Sequence, residues 1–221
     1  MELKSGVYLL EGIKGANCYL IADKEGAYLI DTGMPGNADR IIQEIRSIGH
    51  KPEEIRDILL THPDIDHAGS AAALQFITKA KIAIHENDAP SLTGEREGKK
   101  VKGFLGLIFR LMLNNIKFES LRPDLILKDG ETVGPFKVVH VPGHTQGSIC
   151  FYDAAKSVLL VGDALRTDKK GLPCLSPDIM NDNSLLAKES LQKLAGLDFQ
   201  IMLPGHGKPI LENAAKKVAL L

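Results

Sequence analysis

Between positions 61 and 70 the chain reads Thr-His-Pro-Asp-Ile-Asp-His-Ala-Gly-Ser, which puts His62, Asp64, Asp66 and His67, four side chains able to ligate a metal, into six positions. An apolar run, DILLT at 57–61, leads into the cluster, and a stretch rich in Ala and Leu over about 69–80 follows it. The cluster therefore belongs on a turn between a buried strand and a helix. In an extended turn, residues two apart point the same way, so His62 and Asp64 can face one ion; Asp66 and His67, displaced along the loop, can face a second. Buried charges must be paired or coordinated, which makes four such groups at one strand end hard to read as surface decoration. Imidazoles and carboxylates around divalent ions activate water and polarise an electrophile.

Three further turns carry one such group each. Pro142-Gly143-His144-Thr145 follows FKVVHV (136–141), Gly162-Asp163 closes SVLLVGD (157–163), and Pro204-Gly205-His206-Gly207 follows a strand expected at 200–203. Gly or Pro fixes the backbone in each case, and donors carried rigidly on element ends are what a preorganised metal site requires. Seven residues from four strand ends point to one cleft. His50, His85 and His140 lie outside this pattern and read as turn or strand-end residues.

The elements that must position these groups are legible in outline. VYLLEG, NCYLIAD and GAYLIDTG alternate β-rich runs with Gly or Asn turns, which predicts antiparallel strands over the first thirty residues. Asn37 opens a helix whose apolar face is Ile41, Ile42, Ile45 and Ile48, and Gly49 closes it. KIAIH (81–85) and SICFYD (148–153) are further strands; helices are expected at 184–194 and from about Leu211. Strands alternating with helices in both halves make the class α/β or α+β.

The chain has 221 residues with 27 Lys+Arg against 28 Asp+Glu, a net charge of −1, so it lacks the basic footprint of a nucleic-acid binder. Apolar residues at 44% and charged residues at 25% exclude wholesale disorder. Cys18, Cys150 and Cys174 are odd in number and widely spaced, which suggests reduced cytoplasmic thiols. The early apolar run, Val7 to Leu10, is too short for an export signal. The longest, Phe104 to Leu113, falls short of the about 20 residues that span a bilayer.

With its motif order, the chain resembles the metallo-β-lactamase-fold superfamily of metal-dependent hydrolases, whose pattern HxHxDH, His, Asp, His reads here as His62, Asp64, Asp66, His67, His144, Asp163 and His206. Asp31 in LIDTG matches the family's early Asp-Thr-Gly and is expected to anchor the turn and nearby ligands. The resemblance implies one domain over 1–221, a four-layer αββα sandwich, with a helical lid-like insertion at about 88–122. It implies two divalent ions: the first held by His62, Asp64 and His144, the second by Asp66, His67 and His206, with Asp163 bridging. Asp64 stands where the family usually has His. Two divalent ions, three carboxylates and one hydroxide then leave a neutral core, and the added carboxylate makes Fe or Mn alternatives to Zn.

The implied reaction is attack by a metal-bound hydroxide, oriented by Asp66, on a small ester, thioester or lactone. The nearest likeness is to glyoxalase II-like thioester hydrolases, but only about fifteen residues follow His206, too few for their glutathione-binding helical domain. Lactonases and β-lactamases are the alternative; the lactonases use a Tyr near the site, and none lies between Tyr28 and Tyr152. A di-iron redox protein or a non-catalytic metal binder is the more distant reading. The insertion is expected to cover the cleft with Phe104, Leu107, Ile108, Leu111 and Met112, or to form a homodimer contact through 104–113. The expected partner is a small-molecule substrate, with no nucleic acid and no membrane span.

Overall fold

The structure is a computed structural model and describes residues 1–96 and 120–221. These divide into two compact units, one built on residues 1–84 with 89–96 and 120–126, the other on 85–88 and 127–221.

In the first unit β1 (Glu2–Lys4), β2 (Val7–Leu10), β3 (Cys18–Asp23) and β4 (Gly26–Ile30) form the antiparallel meander expected from the first thirty residues. The chain then leaves the sheet through helix α1 (Ala38–Ser47) and returns as β5 (Ile55–Leu59), parallel to β4. It leaves again through α2 (Ile65–Ala68) and α3 (Ala71–Thr78), returning as β6 (Lys81–His85), parallel to β5. Parallel neighbours need such helical crossovers, since no tight turn can join them. α4 (Ala89–Leu92) follows, and β7 (Leu125–Leu127) completes the seven-stranded sheet.

The period of two along the strands sorts their side chains. Leu20, Leu29, Ile58 and Ile82 face α1 and α3, joining Ile41, Ile45 and Leu74 in one buried core. Their strand neighbours Tyr19, Tyr28, Leu59 and Ala83 are buried as well. Burial on both faces accounts for strands that read as continuous apolar runs rather than clean alternation.

The second unit repeats the scheme. β8 (Thr132–Val133), β9 (Phe136–His140), β10 (Ile149–Asp153) and β11 (Val158–Gly162) are antiparallel neighbours, and β14 (Ile201–Pro204) adds parallel to β11. Val139, Cys150, Leu159 and Met202 of this sheet bury against Leu194, Ala214 and Val218. These come from a 3-10 turn (Leu191–Leu194) after α5 (Ser184–Ser190) and from α6 (Ala214–Val218). A small hairpin, β12 (Arg166–Thr167) with β13 (Pro173–Cys174), stands apart.

Two expectations about elements change. The helix anticipated at about 69–80 is present as α3, but the motif before it is not an extended turn: a short α2 carries Asp66 and His67 on a helical turn. The C-terminal helix begins at Ala214 rather than near Leu211. The expected covering residues Phe104, Leu107, Ile108, Leu111 and Met112 lie outside the described residues, as does the rest of the 104–113 segment. No helix among the described residues is long and apolar enough to cross a membrane.

Candidate metal centre

The first unit presents four donors at the end of β5. His62 and His67 are buried, whereas Asp64 and Asp66 are only partly covered. Asp64 occupies the position before α2 and its Oδ2 lies 3.5 Å from His62 Nε2. The ligating atoms of Asp66 and His67 lie within 4.8 Å of one another. The His62 and His67 rings stand 4.0 Å apart, tilted by 48°.

Asp31 holds this arrangement. It leaves β4 with a left-handed φ of 56°, a conformation Asp tolerates better than most side chains. Its buried carboxylate takes the Thr61 N–H at 2.9 Å, the Thr61 hydroxyl at 2.8 Å and the His67 Nδ1–H at 2.7 Å. Because a carboxylate only accepts, the His67 proton sits on Nδ1 and the lone pair on Nε2. With its hydrogen given to Asp31, Thr61 Oγ1 accepts from His62 Nδ1 at 3.0 Å, and His62 is fixed in the same sense. Thr32 completes the grip, its N–H (2.6 Å) and hydroxyl (2.8 Å) both donating to the His67 carbonyl. Gly69 N–H donates to the Gly33 carbonyl at 3.0 Å. The Asp-Thr-Gly turn thus holds α2 at ring, carbonyl and exit.

The second unit presents three donors. The Asp163 carboxylate spans two imidazoles: Oδ2 lies 3.5 Å from His144 Nε2 and Oδ1 lies 3.6 Å from His206 Nε2. His144 is buried and its Nδ1 donates to Asn181 Oδ1 at 3.1 Å. Asn181 Nδ2 donates to the Ser176 carbonyl at 3.2 Å, and the Ser176 hydroxyl donates to the Asp163 carbonyl at 2.8 Å. One polar path thereby links two of the donors.

The turns carrying the imidazoles are clamped through their backbones. Asp182 and Asn183 N–H donate to the carbonyls of His144 and Gly143, and the Ser190 hydroxyl donates to that of Pro142. A Cβ at Gly143 (φ 136°) would stand 2.2 Å from the Ala187 backbone nitrogen, so only glycine lets α5 approach this closely. Thr167 N–H donates to the His206 carbonyl at 3.2 Å, and Gly205 N–H to the Gly162 carbonyl at 2.8 Å.

The donor spacing tests the fit of a divalent ion. Separations of 3.5, 3.5 and 3.6 Å between imidazole Nε2 and carboxylate oxygen exceed good hydrogen-bond lengths. Two ligands each about 2.0–2.2 Å from one tetrahedral ion stand about 3.3–3.6 Å from each other. Each of the three pairs meets that spacing, and His62, His67 and His144 engage protein hydrogen-bond partners through Nδ1, leaving Nε2 as the ligating nitrogen. The residues fit a divalent ion.

The remaining histidines behave as strand-end and turn residues. His85 and His140 end β6 and β9 and stack 4.0 Å apart at 14°. His50 pairs with Glu54 at 3.2 Å. Cys18, Cys150 and Cys174 are free thiols; burial pushes all three upward in pKa, against the lowering by Arg166 at Cys174, so none is poised as a nucleophile. Sequence reasoning missed Asn181 and Ser176, which no local motif marks.

The whole-chain comparison agrees with this geometry. The family model of the metallo-beta-lactamase superfamily matches residues 12–206, and the chain belongs to that superfamily. It is 27% identical to a protein of Bacillus subtilis (strain 168) named Probable metallo-hydrolase YflN, over 95% of this chain and 86% of that one. It is 25% identical to an N-acyl homoserine lactonase of a Bacillus species, over 84% and 71%. Among solved structures, BJP-1, a subclass B3 metallo-beta-lactamase of Bradyrhizobium japonicum, superposes with a TM-score of 0.74 at 22% identity, covering 99% of this chain and 88% of that one. The α/β fold is that of the metallo-β-lactamases, and the chain is a metallo-hydrolase whose fold implies divalent metal binding.

Replacing Asp31 with Ala strands three donors and puts a methyl side chain at positive φ. Urea unfolding is expected to show a loss of about 1–3 kcal/mol, the scale for leaving a buried donor unsatisfied. Burial, reinforced by the neighbouring His140, pushes His85 down to about 4. The unfolded chain takes that proton near pH 6.5, so the unfolded state binds more protons between the two values and is favoured on acidification. Stability contributed by neutral His85 is therefore complete above pH 6.5 and lost toward pH 4. Urea midpoints of His85→Gln are expected to fall less than those of the unsubstituted protein over that range.

Proposed function

We propose that the chain hydrolyses a small ester, thioester or lactone at a two-ion centre, one ion taking His62, Asp64 and His144, the other Asp66, His67 and His206, with Asp163 between them. The observation that carries this reading is the Asp163 carboxylate, each oxygen of which faces a different imidazole at 3.5 and 3.6 Å. A carboxylate so disposed is suited to touch two ions at once.

When bound, the ions supply acidity to water and polarise the substrate carbonyl. The chain's own groups do the remaining work. Asp66, partly exposed on α2, orients the attacking water, accepts its proton and returns it to the leaving oxygen or sulfur. His67 and His62 keep their Nε2 lone pairs forward through Asp31, and His144 does so through Asn181. No Ser or Cys nucleophile is required.

Zn is the leading choice for an imidazole-rich set, and the carboxylate at Asp64 keeps Fe and Mn in contention. A lactone is favoured by the likeness to the N-acyl homoserine lactonase, while a glyoxalase II-like thioesterase activity is the second reading. The segment 104–113, apolar in eight of its ten residues, is the proposed covering element through Phe104, Leu107, Ile108, Leu111 and Met112, which would favour an apolar substrate chain. The reduced thiols suit a cytoplasmic setting.

A panel of lactones, thioesters, phosphodiesters and a chromogenic β-lactam, assayed with Zn, Mn and Fe separately, tests the proposal. Turnover is expected with a lactone or thioester, and His67→Ala or Asp163→Ala should lower kcat/KM by at least about 100-fold, the minimum for losing a positioned catalytic group. Unchanged turnover in both variants would place the chemistry elsewhere.

A further inference from the structure

We infer that Asn181 is a positioning residue for His144, setting which imidazole nitrogen is offered to an ion; the inference rests on the proposed role of His144 as a ligand. Asn181 comes from the loop before α5, 37 residues from His144, yet it is buried with its Oδ1 3.1 Å from the ring Nδ1. The amide has little freedom to turn. Its Nδ2 donates to the Ser176 carbonyl, so the oxygen must face the imidazole, and an imidazole facing a carbonyl oxygen must carry its proton on Nδ1. Nε2, turned toward Asp163, is then the lone-pair nitrogen.

The Ser176 hydroxyl extends the path to the Asp163 carbonyl, so one loop adjusts two donors together. The contrast with the first unit is chemical. His67 is backed by the anionic carboxylate of Asp31, whereas His144 is backed by a neutral amide. An anionic partner raises imidazole basicity more than an amide does, so Asn181 supplies orientation with little added ligand strength.

The test compares Asn181→Leu, which cannot accept a hydrogen bond, with Asn181→Asp, which keeps an acceptor for Nδ1. Zinc affinity is read by chelator competition on the intact protein, and the His144 tautomer by long-range 1H–15N spectra of metal-free protein at a pH where imidazoles are neutral. Asn181→Leu is expected to weaken binding of one zinc equivalent by about 10–100-fold, the range for losing such a partner. The His144 proton should move from Nδ1 to Nε2 in the same variant. Asn181→Asp should retain the Nδ1–H form and bind within a few-fold of the unsubstituted protein. An Nδ1–H tautomer and zinc affinity that both survive Asn181→Leu would overturn the inference. An unsubstituted protein that binds no zinc yet loses the Nδ1–H form on Asn181→Leu would instead overturn the ligand role of His144 and leave the positioning role standing.

Discussion

The hydrogen bond from His67 Nδ1 to Asp31 Oδ2, at 2.7 Å, is the interaction on which the donors of the first unit depend. Asp31 is almost wholly buried, so its charge is tolerable only because three donors converge on it. Those donors come from the strand end that carries His62 and from the helical turn that carries His67. One carboxylate therefore fixes two imidazoles, and its left-handed backbone directs it under both.

The second unit orients its donors with different chemistry. His144 is turned by an amide, Asp163 is held through its carbonyl by Ser176, and His206 is held through its carbonyl by Thr167. Backbone clamps predominate there, and the glycine at 143 is needed so that the Ala187 backbone can come close enough to supply one. The division follows from the elements: in the first unit the donors share one strand-to-helix turn that a single residue can reach, whereas in the second they end separate strands.

Much of this was legible in the residues themselves. The density of His62, Asp64, Asp66 and His67, the later His144, Asp163 and His206 at strand ends, and Asp31 in its Asp-Thr-Gly turn could all be read because each lies in a short motif with turn residues beside it. The meander of β2 to β4 was readable from its alternating turns, and α1 from its isoleucine face. The single helical turn of α2 was not, because Asp66 and His67 are weak helix formers and four residues show no period. Asn181 and Ser176 were invisible for a different reason: their partners lie up to 37 residues away, and nothing local distinguishes them from loop polar residues. Substrate choice stays a matter of contacts made by covering segments, which periodicity does not specify.

Metal content with X-ray absorption on protein purified without added metal tests the central claim most directly. The account predicts two equivalents of a divalent transition metal, a nearest shell of nitrogen and oxygen at about 2.0–2.2 Å without sulfur, and a second metal at about 3.5–4 Å. A protein that takes up only traces of metal when offered a stoichiometric excess, or one whose metal sits in a sulfur shell at about 2.3 Å, would contradict it.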